Sequence, residues 1–168
     1  MRGRTFLVTG AAGGLGSLVC KQLLAEGAEV IAHVRSKEQR AELGLPVRTV
    51  IADLSSIAET TALAREVGAV DVLVNNAGVG FGRDQLHREV SRDGHELRFA
   101  VNYLAAYVLT YALRDRAKAI VQVASIGQRA LDVRDLQFTH QYDGIVAYRR
   151  SKLAQVMLAF DVAASSSV

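Results

Sequence analysis

The sequence predicts an α/β fold, a doubly wound parallel sheet with helices on both faces. Three observations support this. Short apolar runs of β type alternate with longer segments of helical period. Those runs are apolar almost throughout, as in EVIAHV at 29–34 and VDVLV at 70–74, which suits parallel strands buried on both sides. A cluster of glycines follows the first run directly.

The elements follow in order. Thr5 to Thr9 (TFLVT) is the first strand, stopped by Gly10. Leu15, Val19 and Leu23 recur every four residues, so a helix follows, and Gly27 ends it. Glu29 to Val34 is the second strand, and Lys37 to Leu43 a short polar helix. Val47 to Ala52, just after Pro46, is the third strand. Ser55 is expected to cap a helix running to about Val67, ahead of a fourth strand at Val70 to Val74. Leu97, Val101, Leu104, Val108 and Tyr111 recur at spacings of 4, 3, 4 and 3 and predict one long amphipathic helix. Ala119 to Ala124 is the fifth strand. A loop from about Ile126 to Ile145 leads to a last helix near Ala147. Strands joined through helices make right-handed crossovers, hence a parallel sheet.

The 168 residues fit one domain, expected over 1–164 with 165–168 as a frayed tail. Half the residues are hydrophobic and 22% are charged, which excludes a disordered or collagen-like chain. Twenty Lys and Arg against 17 Asp and Glu leave +3, with no basic block, so no nucleic-acid partner is expected. The single cysteine, Cys20, excludes an internal disulfide framework and reads as a core residue. His33, His87, His95 and His140 have no ligand spacing, so no metal site is expected. The charges from Arg83 to Arg98 alternate in sign and read as a solvated loop and helix entry. Tyr103, Tyr107 and Tyr111 read as a packing stripe. The apolar run Phe6-Leu7-Val8 is shorter than a signal peptide requires, and no stretch reaches the roughly 18 residues of a membrane span. A cytoplasmic location is therefore expected.

Thr9-Gly10-Ala11-Ala12-Gly13-Gly14-Leu15-Gly16 lies between a strand and a helix, the context a dinucleotide site requires. Gly10 suits the tight turn. Gly14 lets backbone approach a pyrophosphate, whose charge meets helix N-terminal N–H groups, and Gly16 allows helix to pack closely on strand. The second strand ends in His33-Val34-Arg35-Ser36 rather than in an acid that would bind a ribose 2′-hydroxyl. Arg35, assisted by Ser36, suits a 2′-phosphate, which favours NADP(H) over NAD(H).

Tyr148 and Lys152 stand four apart, neighbours on one helix face. An ammonium beside a phenol favours its ionised form, and a phenol so placed can exchange a proton near neutral pH.

With these motifs in order, the chain resembles the short-chain dehydrogenase/reductase family, nearest its retinol-dehydrogenase-like branch. TGAAGGLG at Thr9 to Gly16 fits TGxxxGxG, and Asp53-Leu54 fits the acidic position after the third strand. Asn75-Asn76-Ala77-Gly78 is an NNAG motif. Tyr148 and Lys152 fit YxxxK, with Ser125 as the serine partner and Asn102 as the asparagine of the long helix. The stretches LRFAVNYLA and VASIGQ carry the likeness to the retinol-type branch, and the resemblance covers about residues 4 to 162.

The resemblance implies a Rossmann-type sheet of strand order 3-2-1-4-5 and the interconversion of a carbonyl and an alcohol. Tyr148 would be the general acid. Lys152 would tune it and hold the nicotinamide ribose, to which Tyr148 would also lie close. Ser125 would hydrogen-bond the substrate oxygen, and Asn102 would help hold a relay water. Thr9, Gly10, Gly14, Leu15, Gly16, Arg35, Ser36, Asp53, Leu54, Asn75, Ala77 and Gly78 would surround the adenine, its ribose and the pyrophosphate. A homo-oligomer is implied, through helix faces bearing Leu104, Val108, Met157 and Phe160. Family members continue into two further strands, a Pro-Gly turn and a substrate-covering segment. The expected fold lacks those two strands, and the only proline here is Pro46. The alternative reading is a non-catalytic NADP(H)-binding or interaction module.

Overall fold

A computed structural model of the chain describes residues 1–165. Its sheet contains β1 (Thr5–Val8), β2 (Glu29–Val34), β3 (Arg48–Ile51), β4 (Val72–Asn75) and β5 (Ala119–Gln122). The strands are parallel in the order β3-β2-β1-β4-β5. Between them run α1 (Gly14–Ala25), α2 (Lys37–Leu43), α3 (Ile57–Val67) and α4 (Ala105–Leu113), and α5 (Gly144–Ser165) follows β5. The tail expected at 165–168 begins on the last residue of α5, and 166–168 lie outside the described residues.

Alternate strand residues face opposite sides, so each central strand feeds two cores. Leu7, Ile31 and Leu73 face one side, against Leu63 and Val67 of α3 and Leu109 and Leu113 of α4. Phe6, Val8, Val30, Ala32, Val72 and Val74 face the other, against Cys20 and Leu23 of α1 and Leu43 of α2. The register sets Leu7 beside Ile31 on one edge and beside Leu73 on the other, which keeps each face apolar.

Four sequence expectations are corrected. The long amphipathic segment is not one α-helix: Phe99–Leu104 winds as a π-helix before α4 begins. Asn102 lies inside the wider turn, fully buried and bound to the backbone of Val79, a polar contact that the apolar period does not report. The cap of α3 is Ser56, whose Oγ accepts from the Glu59 N–H, and not Ser55. α5 starts at Gly144 because the Asp143 carboxylate accepts from the Ile145 and Val146 N–H groups. The charged stretch ending at Arg98 is not wholly solvated, since Glu96 and Arg98 are each only 1% exposed. Arg98 offsets its lost hydration by donating to the Gly80 carbonyl, to Tyr142 and, at 2.6 Å, to Glu89.

Among the described residues no helix is long and apolar enough to cross a membrane.

Candidate functional site

Strand order reverses at β1, which has β2 on one side and β4 on the other. The loops at the carboxyl ends of strands diverge there and leave a crevice. A groove of about 470 Å³ occupies that position. Gly10, Gly14, Leu15 and Gly16 form its floor below β1. Arg35 lies at the end of β2, Asp53 and Leu54 beyond β3, and Ala77 and Gly78 beyond β4.

The glycine turn is built for close approach. Gly10 has φ of +65°, and a Cβ there would stand 2.8 Å from the Cα of Ala77. A Cβ on Gly16 would strike the Gly10 carbonyl oxygen. Gly14 is the opposite case. Nothing lies within 4 Å of where its Cβ would be, so its open face borders the groove. The first turn of α1 has no side-chain cap and no acidic residue, which leaves its N–H groups for an anion. These features fit the pyrophosphate of a dinucleotide.

Other predicted residues support the groove. Thr9 is buried, and its Oγ1 accepts from the N–H groups of Asn76 and Ala77, both at 2.9 Å. Asn76 donates from Nδ2 to the carbonyls of Thr9 and Gly10, tying the two loops together. Asn75 is buried, its Nδ2 donating to Thr110 Oγ1 and its Oδ1 without a partner among the described residues. Ser36 caps α2 by accepting from the Gln39 N–H at 3.3 Å, while the side chain of Gln39 accepts from the Arg35 N–H. The Asp53 carboxylate accepts from the Ser55 N–H and pairs with Arg92 at 3.5 Å.

Beyond Gly78 the helix α5 brings in Tyr148 and Lys152. Lys152 is 5% exposed, and its Nζ donates to the Val123 carbonyl at 2.8 Å and to Gln155 Oε1 at 2.9 Å. Burial pushes its ammonium down to about 8. A Cβ built on Gly78 would lie 3.3 Å from Asn102 Oδ1 and 3.5 Å from Lys152 Nζ, so these three residues converge. Asn102 also donates to Ser151 Oγ, the residue preceding Lys152. Tyr148 meets the Phe81 ring edge to face at 5.0 Å. Ser125 Oγ accepts from the Gly127 N–H, within its own loop. Among the described residues no hydrogen bond joins Ser125 to Tyr148 in this arrangement.

Several residues that shape the site were not singled out by sequence reasoning. Gln155 accepts from Lys152 and donates to the Asn75 carbonyl, and its position three residues after Lys152 on a helix was the available signal. His33 lines the groove and is 3% exposed. A polar residue inside an apolar strand run marks it. Arg98 anchors the Gly80 carbonyl next to Phe81, so it steadies the loop that packs on Tyr148. No motif reveals that. Among the described residues no cluster of acidic, His or Cys side chains could hold a metal ion.

The family model for short chain dehydrogenases matches residues 4–165. Mouse retinol dehydrogenase 13 is 35% identical over 176 aligned residues, covering 92% of this chain and 52% of the relative. Human retinol dehydrogenase 14 is 32% identical, covering 97% of this chain and 57% of the relative. The chain thus spans a little over half the length of these relatives. Among solved structures, an uncharacterised protein from Mycobacterium paratuberculosis superposes with a TM-score of 0.89 at 28% identity, over 96% of this chain and 62% of the other. A metagenomic short-chain oxidoreductase in complex with NADP gives 0.76 at 27% identity, over 97% of this chain and 76% of that one.

Proposed function

The chain belongs to the short-chain dehydrogenase/reductase family, and on that premise we propose that it is the dinucleotide-binding domain, over residues 1–164, of an NADP(H)-dependent oxidoreductase that interconverts a carbonyl and an alcohol. The observation that carries the reading is the convergence of Lys152, Asn102 and Gly78 at the end of a glycine-floored groove with Arg35 at its other side. A nicotinamide cofactor bound in this groove would supply the hydride. The residues of the chain do the rest.

The uncapped N-terminus of α1 and the bare face of Gly14 hold the pyrophosphate. Arg35, exposed at the groove edge, forks onto the 2′-phosphate, and the Ser36 hydroxyl, which accepts from Gln39, keeps its own proton to donate. Asp53 and Leu54 border the adenine, and Ala77 and Gly78 its ribose and the chain toward the nicotinamide. Lys152 spends two of its three donors on Val123 and Gln155, which leaves one to direct at the nicotinamide ribose hydroxyls. Tyr148 gives its phenolic proton to the carbonyl oxygen, and the Lys152 ammonium stabilises the phenolate left behind. Ser125 donates to the same oxygen as negative charge develops on it. Asn102, rigid within the π-helical turn, holds the Val79 backbone beside Lys152 and orients a relay water. The proposed setting is the cytoplasm, where the thiol of buried Cys20 stays reduced.

The test is NADPH oxidation against a panel of aldehydes and ketones, with Tyr148→Phe beside the unaltered protein. The variant keeps the ring and its contact with Phe81. NADPH binding should survive while turnover falls by roughly 10² or more, the scale of general acid catalysis. Equal turnover in both proteins overturns the assignment. Binding of NADPH without turnover in the unaltered protein favours the second reading, a nucleotide-binding module.

A further inference from the structure

The buried histidine of the groove has neighbours that leave it one protonation state. His33 Nδ1 faces the Gly10 N–H at 3.1 Å, and Nε2 faces the Ala52 carbonyl oxygen at 3.0 Å. A backbone N–H can only donate and a carbonyl can only accept. Nδ1 must therefore carry the lone pair and Nε2 the proton. The imidazolium would set N–H against N–H at Gly10. The backbone adds a third tie, because the His33 carbonyl accepts from the Ala11 N–H at 2.9 Å.

This ring joins three strand ends. Gly10 follows β1, His33 is in β2, and Ala52 follows β3 beside Asp53. Gly10 is held on its other side as well, its carbonyl accepting from Asn76 Nδ2 and from the Gly13 N–H. With φ at +65° and Ala77 packed against it, Gly10 has little room to move while those bonds hold.

We propose that His33 is a positioning residue for the nucleotide: its neutral ring struts the glycine turn against β3, setting the pyrophosphate floor relative to the adenine end, so that protonation of His33 weakens cofactor binding. The proposal rests on the dinucleotide reading given above. Burial favours the neutral ring and holds its pKa below the ordinary histidine value, while the Ala52 bond and the charge of Asp53 act the other way. Asp53 is itself paired with Arg92, and Arg35 follows β2 two residues after His33.

The experiment is NADPH binding, followed by nucleotide fluorescence, at pH 7.5 and 5.5 for the unaltered protein, His33→Leu and His33→Asn, with folding checked by circular dichroism. At pH 7.5 His33→Leu, which leaves the Gly10 N–H without an acceptor, should bind at least tenfold more weakly. His33→Asn can offer its Oδ1 to Gly10 and should bind within a few fold of the unaltered protein. Because Asn does not titrate, it should lose less affinity than the unaltered protein at any pH low enough to protonate His33, which burial holds below the ordinary histidine value. Protonation of the 2′-phosphate affects all three proteins alike and cancels in the comparison. ¹⁵N spectra of the nucleotide-free protein should find His33 protonated on Nε2 alone at pH 7.5. Undiminished binding by His33→Leu, or a proton on Nδ1 at pH 7.5, would overturn the strut and leave the nucleotide reading intact. Failure of the unaltered protein to bind NADPH would overturn both.

Discussion

Lys152 is the side chain on which the proposed chemistry leans most. It is almost fully buried, makes no ion pair within 4 Å among the described residues, and hydrogen-bonds a carbonyl and an amide. Burying an ammonium costs stability unless partners replace its hydration, and here burial holds it at about 8 against an ordinary 10.5. Between those values the unfolded chain holds a proton that the folded protein has released. Stability from this group is therefore fully present above about 10.5 and is lost as the pH falls through about 8. Lys152→Met removes the titration. In urea denaturation without nucleotide, Lys152→Met should outdo the unaltered protein by more at pH 7.5 than at pH 10. The same gap at both pH values would contradict the account. Its spacing to Tyr148 singles the residue out in the sequence. Its partners Val123 and Gln155 are not singled out, because a hydrogen bond from strand end to helix depends on tertiary packing that no local pattern records.

At the scale of elements, the sheet was legible because each central strand is buried on both faces and so writes a continuous apolar run. Strand ends shifted by one to two residues, as at β4, where Asn75 pairs with Gln122 although the apolar run stops at Val74. The π-helical turn was illegible. Its apolar residues keep a helical spacing, and the extra residue per turn is stabilised by Asn102 and by the Glu96 carboxylate, which accepts from the Phe99 N–H. The buried Arg98 was illegible too, since alternating charge looks the same on a solvated loop and in a paired interior. The α3 cap was legible and misread. Ser56-Ile57-Ala58-Glu59 spells the S-x-x-E signal, and Ser56 is the serine that accepts from the Glu59 N–H. Ser56→Ala should cost about 1 kcal/mol in urea denaturation. Ser55→Ala should cost less, because Ser55 is held by its backbone N–H on Asp53, which the substitution keeps. The reverse order would contradict the cap assignment.

Over the whole molecule, the outer faces of α4 and α5 carry apolar side chains that the described residues leave uncovered. On α5 Met157 is 52% and Phe160 74% exposed, and on α4 the tilted rings of Tyr107 and Tyr111 lie 4.6 Å apart, with Val108 half-buried. Such a patch favours association, and we expect a dimer or larger species by light scattering at micromolar concentration. Phe160→Glu should shift it toward monomer; a monomer before substitution would contradict this. The strand order and the glycine floor together make the groove, and the cation at its edge, Arg35, stands where an acid would select a ribose hydroxyl. The most direct test of the account is therefore a titration of NADPH and NADH into the unaltered protein and Arg35→Asp. NADPH should bind the unaltered protein more tightly, and Arg35→Asp should shrink that preference at least tenfold, about 1.4 kcal/mol. Equal affinity of the unaltered protein for both nucleotides, or a preference that Arg35→Asp leaves unchanged, would contradict it.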